Sequence, residues 1–223
     1  VALAAPPPAL AALAVTPNYQ NDGLVFTGTL ADGVHYSADR GAHWKSDSLG
    51  LIDMNVLCLA VAPNFKDEAL VLAGTQSGLF CSRNGGRSWR EVELPVGYEA
   101  VLCLALSPEF GKDRTVFAGT ETQGLLVSED AGVRWRRMGE AVLSSSISQI
   151  ALAPEFPSRP QLLVLHDGSL AASDDGGATW RPWAGRPPQA EGATAFLAPR
   201  GWAAGEPVLL GLESGGIARV EAE

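Results

Sequence analysis

One eight-residue pattern occurs four times at even spacing, and it constrains the fold more than any other property of the chain. The copies are SADRGAHW (Ser37 to Trp44), SRNGGRSW (Ser82 to Trp89), SEDAGVRW (Ser128 to Trp135) and SDDGGATW (Ser173 to Trp180). Their serines step by 45, 46 and 45 residues. A second marker keeps the same beat: LAVTP, LAVAP, LALSP, LALAP and FLAP end at Pro17, Pro63, Pro108, Pro154 and Pro199. A period of this length requires one supersecondary unit stacked many times, because a single unit cannot bury its own apolar face.

Residues 56 to 94 give the anatomy of one unit. VLCLAVAP is aliphatic and β-branched and predicts a buried strand. NFKDEA is an expected loop, LVLAGT a second strand, and LFCS a third after a turn at Gln76-Ser77-Gly78. RNGGR is rich in residues that tolerate positive φ, as a tight turn requires. SWREVEL is a fourth strand carrying Arg90, Glu91 and Glu93. The passage from dry first strand to wet fourth strand suits a propeller blade, with its first strand at the hub and its last in solvent. The expected fold is therefore all-β, a five-bladed β-propeller of four-stranded antiparallel blades spanning residues 1–223.

The register also predicts how the ring closes. The fifth unit supplies FLAP, PVLLGLES and GGIARV, and then reaches Glu223. Counting back from Pro17 places Val1 three positions after an absent fifth Trp. Residues 1 to 5 are thus expected to complete the outer strand of the fifth blade, closing the ring and removing its open edge. That blade lacks the octapeptide and its Trp.

The octapeptides fit S-x-[DN]-x-G-x-x-W and resemble the Asp-box, or BNR repeat, of sialidase-like, sortilin-like and photosystem-assembly-factor-like propellers. P-[NE]-[YF] after the first strand and V-[FL]-x-G-T in the second fit as well. Asn84 departs from Asp but keeps an acceptor oxygen. Physical roles follow from the residue types. Asp39, Asn84, Asp130 and Asp175 can accept backbone N–H bonds inside a hairpin turn. Each Trp can bury a large ring between blades. The resemblance implies a structural motif away from any active site.

Composition excludes some partners. The net charge is −9, with no basic block beyond Arg134, Arg136 and Arg137. Phosphate backbones are repelled, so nucleic acid is not an expected partner. No apolar run reaches bilayer-spanning length. The opening VALAAPPPALAALAV has three consecutive prolines and no basic leader, unlike a signal peptide, and it names no compartment. Cys58, Cys81 and Cys103 lie in apolar runs and are expected as buried free thiols. No closely spaced ligand pairs suggest zinc, and no cofactor is expected.

Alternating strand direction sorts the loops onto two faces. The octapeptide turns share one. The turns between second and third strands share the other with the blade-to-blade connections, around the hub entrance. Candidate ligand-binding residues there are Asp32, Gln76, Glu121, His166 and Asp167 on the turns, and Asp53, Asn55, Tyr98, Glu99 and Glu191 on the connections. A glycoside hydrolase needs two carboxylates held across the scissile bond. A sialidase-type site needs an arginine cluster, and the arginines here flank the octapeptides on the other rim. Short loops leave little to enclose a substrate. The expected function is a non-catalytic binding or scaffold propeller with a protein partner, and a monomer. The alternatives are a glycan-binding, lectin-like propeller or a sialidase-like hydrolase.

Overall fold

The computed structural model describes residues 9–183, 185–186, 192–198, 201–202 and 206–222. Among these, twenty strands form five four-stranded antiparallel sheets. Blade one comprises Leu10–Val15, Val25–Thr29, Val34–Ser37 and Lys45–Ser46. Blade two comprises Val56–Val61, Val71–Thr75, Leu79–Ser82 and Arg90–Val92. Blade three comprises Val101–Leu106, Val116–Thr120, Leu125–Ser128 and Arg136–Met138. Blade four comprises Ile147–Leu152, Leu162–His166, Ser169–Ser173 and Arg181–Pro182. Blade five is built from Ala193–Leu197, Pro207–Leu212, Ile217–Ala222 and, out of sequence order, Gly185–Arg186.

The expected gradient from dry to wet holds. The second strands of blades one to three are buried along their whole length, each flanked by the first and third strands of its own sheet. The outer strands of blades one and two expose Lys45, Ser46, Arg90 and Glu91. First strands of consecutive blades pack side by side from blade one to blade four, which places them at the axis.

The segment expected as a loop after each first strand instead holds one helical turn in three blades: Tyr19–Asp22, Phe65–Glu68 and Phe110–Asp113. Gly23, Ala69 and Arg114 close these turns in the left-handed conformation, each donating its N–H to the carbonyl of Tyr19, Phe65 or Phe110. Asp22 accepts from the Thr16 hydroxyl at 2.7 Å, and Asp113 from the Ser107 hydroxyl at 2.5 Å. A single turn is too short to show helical periodicity in a sequence.

Four apolar cores hold the blades together, one at each junction of successive blades. Phe26, Val34, Val71, Phe80 and Trp89 fill the first. Leu72, Leu79, Val116, Leu126 and Trp135 fill the second. Phe117, Leu125, Leu162, Val164 and Met138 fill the third, and Leu163, Leu165, Phe196, Val208 and Leu210 the fourth. A closed ring of five needs a fifth core, between blades five and one. None is formed among the described residues.

Two expectations about the ends change accordingly. Residues 1 to 5 lie outside the described residues, and the place beside Ile217–Ala222 reserved for them is taken by Gly185–Arg186, with Gly185 opposite Ala222 and Arg186 opposite Glu221. The connection leaving blade four thus supplies the missing strand of blade five. Trp44 does not bury its ring between blades: it is 43% exposed, against 3% for Trp89 and 9% for Trp135. Trp89 and Trp135 each pack on the preceding blade, and among the described residues nothing comparable covers blade one on that side. Blade five, lacking an octapeptide Trp, is anchored instead by Trp183 and Trp202.

All three cysteines are free. Cys58 donates its Sγ–H toward the Val101 carbonyl and Cys103 toward that of Ile147, each at 3.4 Å across a blade junction. Burial pushes all three thiols up, Cys103 to about 12, so they pack as small apolar groups and not as nucleophiles.

Candidate functional site

The four octapeptides build one turn four times. In blade three the Ser128 hydroxyl donates to Asp130 Oδ1 at 2.9 Å and accepts the Gly132 N–H at 2.9 Å, while the same Asp130 oxygen accepts the Arg134 N–H at 2.8 Å. Blade four repeats this with Ser173, Asp175, Gly177 and Thr179, and blade one with Ser37, Asp39, Gly41 and His43. In blade two Asn84 Oδ1 takes the carboxylate's place and accepts the Ser88 N–H at 3.0 Å. All four serines are buried. Each carboxylate is thereby spent on its own backbone, which is a structural role.

These bonds shift the carboxylates. The Arg134 N–H, then the Arg134 side chain, hold Asp130 at about 2. The Thr179 hydroxyl and N–H hold Asp175 at about 2. The His43 N–H, then the Ser37 and His43 side chains, hold Asp39 well below the usual carboxylate range. A folded-state value below the unfolded one stabilises above the unfolded value, near 3.8 here, and that stabilisation is lost as pH falls through the folded value. The turns of blades three and four are therefore expected to loosen between about pH 4 and pH 2. Blade two, with its uncharged Asn84, should keep its turn. Amide NMR shifts of Arg134, Thr179 and Ser88 followed through that window check this: equal movement of all three would contradict it.

The opposite face carries the polar candidates. Its turns are stitched to its connections by backbone bonds from Gly33 to Met54, Gln76 to Asn55, Glu121 to Ala100 and Ala193 to Gly168. Asp53 accepts the Asn55 N–H at 2.9 Å and both the N–H and hydroxyl of Ser77 at 2.8 Å. Burial raises the Asp53 carboxyl, but these bonds outweigh it and hold the group below its usual range. Glu99 accepts the Thr122 N–H at 2.6 Å and hydroxyl at 3.0 Å. Asp167 accepts the Ser145 hydroxyl, and Asp32 pairs with His35 Nε2 at 3.1 Å. Asn55 leans its amide on Asp53 at 3.3 Å.

Three of the six acidic candidates, Asp53, Glu99 and Asp167, therefore serve as clamps between a connection and a turn. Gln76, Tyr98 and Glu121 stand exposed, His166 is half-buried, and Glu191 lies outside the described residues. Among the described residues no three His, Cys, Asp or Glu gather into a group that could hold a metal ion. Among the described residues no helix is long and apolar enough to cross a membrane.

A feature the polar candidates do not include is the exposed apolar content of the same face. Ile52 and Met54 on one connection, Tyr98 and Val142 on the next two, and Leu30 on a turn are all exposed. Ile52 is 72% and Tyr98 80% exposed. Beside Tyr98 a shallow cavity of about 310 Å³ is lined by Ser77, Gly78, Leu94 and Gly97, with Glu91 and Glu93 at its edge. The available signal was that apolar residues interrupt otherwise polar connections. Large apolar side chains grouped on one face mark an interaction surface more than scattered exposure does.

No protein family matches this chain, and no curated protein matches it in sequence. In architecture it is similar to an ancestral GH74 enzyme, with a TM-score of 0.72 and 18% identity over 95% of this chain and 31% of that one. It is similar to the extracellular domain of the BT4673 one-component system of B. thetaiotaomicron, with a TM-score of 0.69 and 18% identity over 95% and 27% of the two chains. It is also similar to YCF48 from Cyanidioschyzon merolae, with a TM-score of 0.64 and 14% identity over 96% and 67%. YCF48 has been solved bound to D1 peptide. The chain spans about a third of the GH74 protein and about two thirds of YCF48. These likenesses establish a β-propeller fold.

Proposed function

We propose that this propeller is a non-catalytic binding module whose hub-entrance face takes a polypeptide. The observation that carries the proposal is the set of exposed apolar side chains on that face, Leu30, Ile52, Met54, Tyr98 and Val142, standing over a frame of clamped carboxylates. Aromatic and Met anchors on a rigid frame suit a protein partner. The polar groups on this face differ from blade to blade, which argues against five equivalent sugar sites. The YCF48 complex with D1 peptide supports the same direction. The chain's charge of −9 works against nucleic acid.

A photo-crosslinking amino acid at Tyr98 is expected to capture one polypeptide. The same group at Val133, which is exposed beside Asp130, is expected to capture none. Adducts from both positions, or binding to a glycan array with no polypeptide adduct, would overturn the proposal. The likeness to GH74 enzymes supports a second reading, glycoside hydrolysis. Hydrolysis of an aryl-glycoside panel that disappears in Glu99→Gln or Glu121→Gln would establish that reading instead.

A further inference from the structure

At blade two the exposed apolar residues of the hub-entrance face surround a depression. The cavity beside Tyr98, about 310 Å³, has room for one large side chain and is lined in part by Val92 and Leu94. Ser77 lines it as well and donates to Asp53, which lies between Ile52 and Met54 in the chain. Glu99, next to Tyr98, is fixed to the turn at Thr122. The exposed Ile52, Met54 and Tyr98 therefore stand on clamped backbone, and a ligand that covers them has little backbone left to order.

The charge around this depression has one sign. The turns at 30–33, 76–78, 121–124 and 167–168 and the connections at 47–55, 93–100 and 139–146 carry eight Asp or Glu and no Lys or Arg. Arg137, paired with Glu140 at 3.4 Å, offsets one of the eight. The clamps on Asp53, Glu99 and Asp167 come from neutral donors and do not cancel their charge. Cations gather on the other rim. Arg40, Arg83, Arg87 and Arg134 sit in the octapeptides, and Lys66 and Lys112 in the helical turns. Those turns lie beside the octapeptides, where the Gly85 N–H donates to the Ala69 carbonyl and the Ala131 N–H to that of Arg114. A face lined with one sign of charge favours a partner of the other sign.

At the edge of the cavity the acids are Glu91 and Glu93, both exposed. Two positions apart on extended chain, they stand on one side of it. The pairing register shows that the blade does not dictate Glu91. It pairs with Phe80 as Ser46 pairs with His35, Arg137 with Leu126 and Pro182 with Ala171. That slot is Ser, Glu, Arg and Pro in turn, whereas the slot before it is basic each time, at Lys45, Arg90, Arg136 and Arg181. Blade two is the one of these four whose outer strand runs into two acids beside an apolar cavity.

On the reading that this face takes a polypeptide, we infer that the segment it takes is basic and apolar together. A large apolar side chain of the partner enters the cavity beside Tyr98, and a Lys or Arg next to it pairs with Glu91 and Glu93. Burial of the apolar side chain supplies the affinity, and the acids set which segments are admitted.

A random peptide library displayed on phage and selected on the 223-residue chain tests this. Enriched peptides are expected to carry Lys or Arg next to a large apolar residue or one position from it. Their synthetic forms should crosslink to a photo-reactive residue placed at Tyr98, and should bind about tenfold more weakly to Glu91→Lys with Glu93→Lys. Asp67→Lys with Glu155→Lys makes the same change in net charge at two exposed sites on the octapeptide rim, and should leave binding unchanged. If the first pair lowers the thermal unfolding midpoint, Glu91→Gln with Glu93→Gln takes its place and is expected to weaken binding about threefold.

Peptides that crosslink at Tyr98 but are neutral or acidic, or that bind both lysine pairs equally well, would overturn the basic-partner inference and leave the polypeptide reading standing. Peptides that bind without crosslinking there, or a selection that enriches none, would overturn that reading and the inference with it.

Discussion

Trp89→Ala is expected to lower the free energy of unfolding by about 3–5 kcal/mol, the range for deleting a large buried aromatic. The indole is 3% exposed, packs in the core shared by blades one and two, and donates its Nε1–H to the Asp47 carbonyl at 2.9 Å. Truncation opens a cavity between two rigid sheets and leaves a carbonyl without its donor. Trp44→Ala, the same motif position one blade earlier, is expected to cost about 1 kcal/mol or less, because its ring lies against solvent. Urea unfolding of the two variants against the parent measures the difference. Equal losses would show that the ring's place in the motif, and not its neighbour, sets the energy.

The second large effect comes from a missing side chain. A methyl group on Gly119 would lie 2.5 Å from Cys103 Sγ and 2.6 Å from the Ile147 carbonyl of the next blade. That carbonyl belongs to the inner strand of blade four and cannot withdraw without disturbing its ladder. Gly119→Ala is expected to destabilise by about 1–3 kcal/mol, and Gly119→Val by more. Gly74 is under the same pressure from Cys58 and the Val101 carbonyl. Gly211 occupies the equivalent slot in blade five, where the nearest atom to an added methyl is 3.4 Å away. Gly211→Ala should therefore be nearly neutral. Thermal unfolding of the Gly119 and Gly211 variants separates the two cases, and similar losses would contradict this account of the junctions.

These residues also mark how far the sequence alone could be followed. The spacing of Ser37, Ser82, Ser128 and Ser173 was enough for the repeat, because a turn with one required geometry needs the same side chains each time. Strand order followed, since apolar content falls from Val56–Val61 to Arg90–Val92. The ends were less legible. Gly185–Arg186 carries no β-branched or aromatic signal, and its partner strand is fixed by where the connection passes and not by composition. Strand direction puts Tyr98 on the face of the blade-to-blade connections, where the acidic residues stand out first in the sequence. Asp53 and Glu99 attract attention as carboxylates, and only their neighbours Ser77 and Thr122 show that those oxygens are already engaged. The exposed Ile52 and Met54 gave no periodic signal, because connections have no repeating geometry to reveal a side.

Gly185–Arg186 has a kinetic consequence as well. Among the described residues every sheet draws its strands from one contiguous stretch, with none borrowed from the far end of the polypeptide. No single long-range pairing has to be found before the rest can form, so structure can nucleate in any blade and spread to its neighbours in either direction.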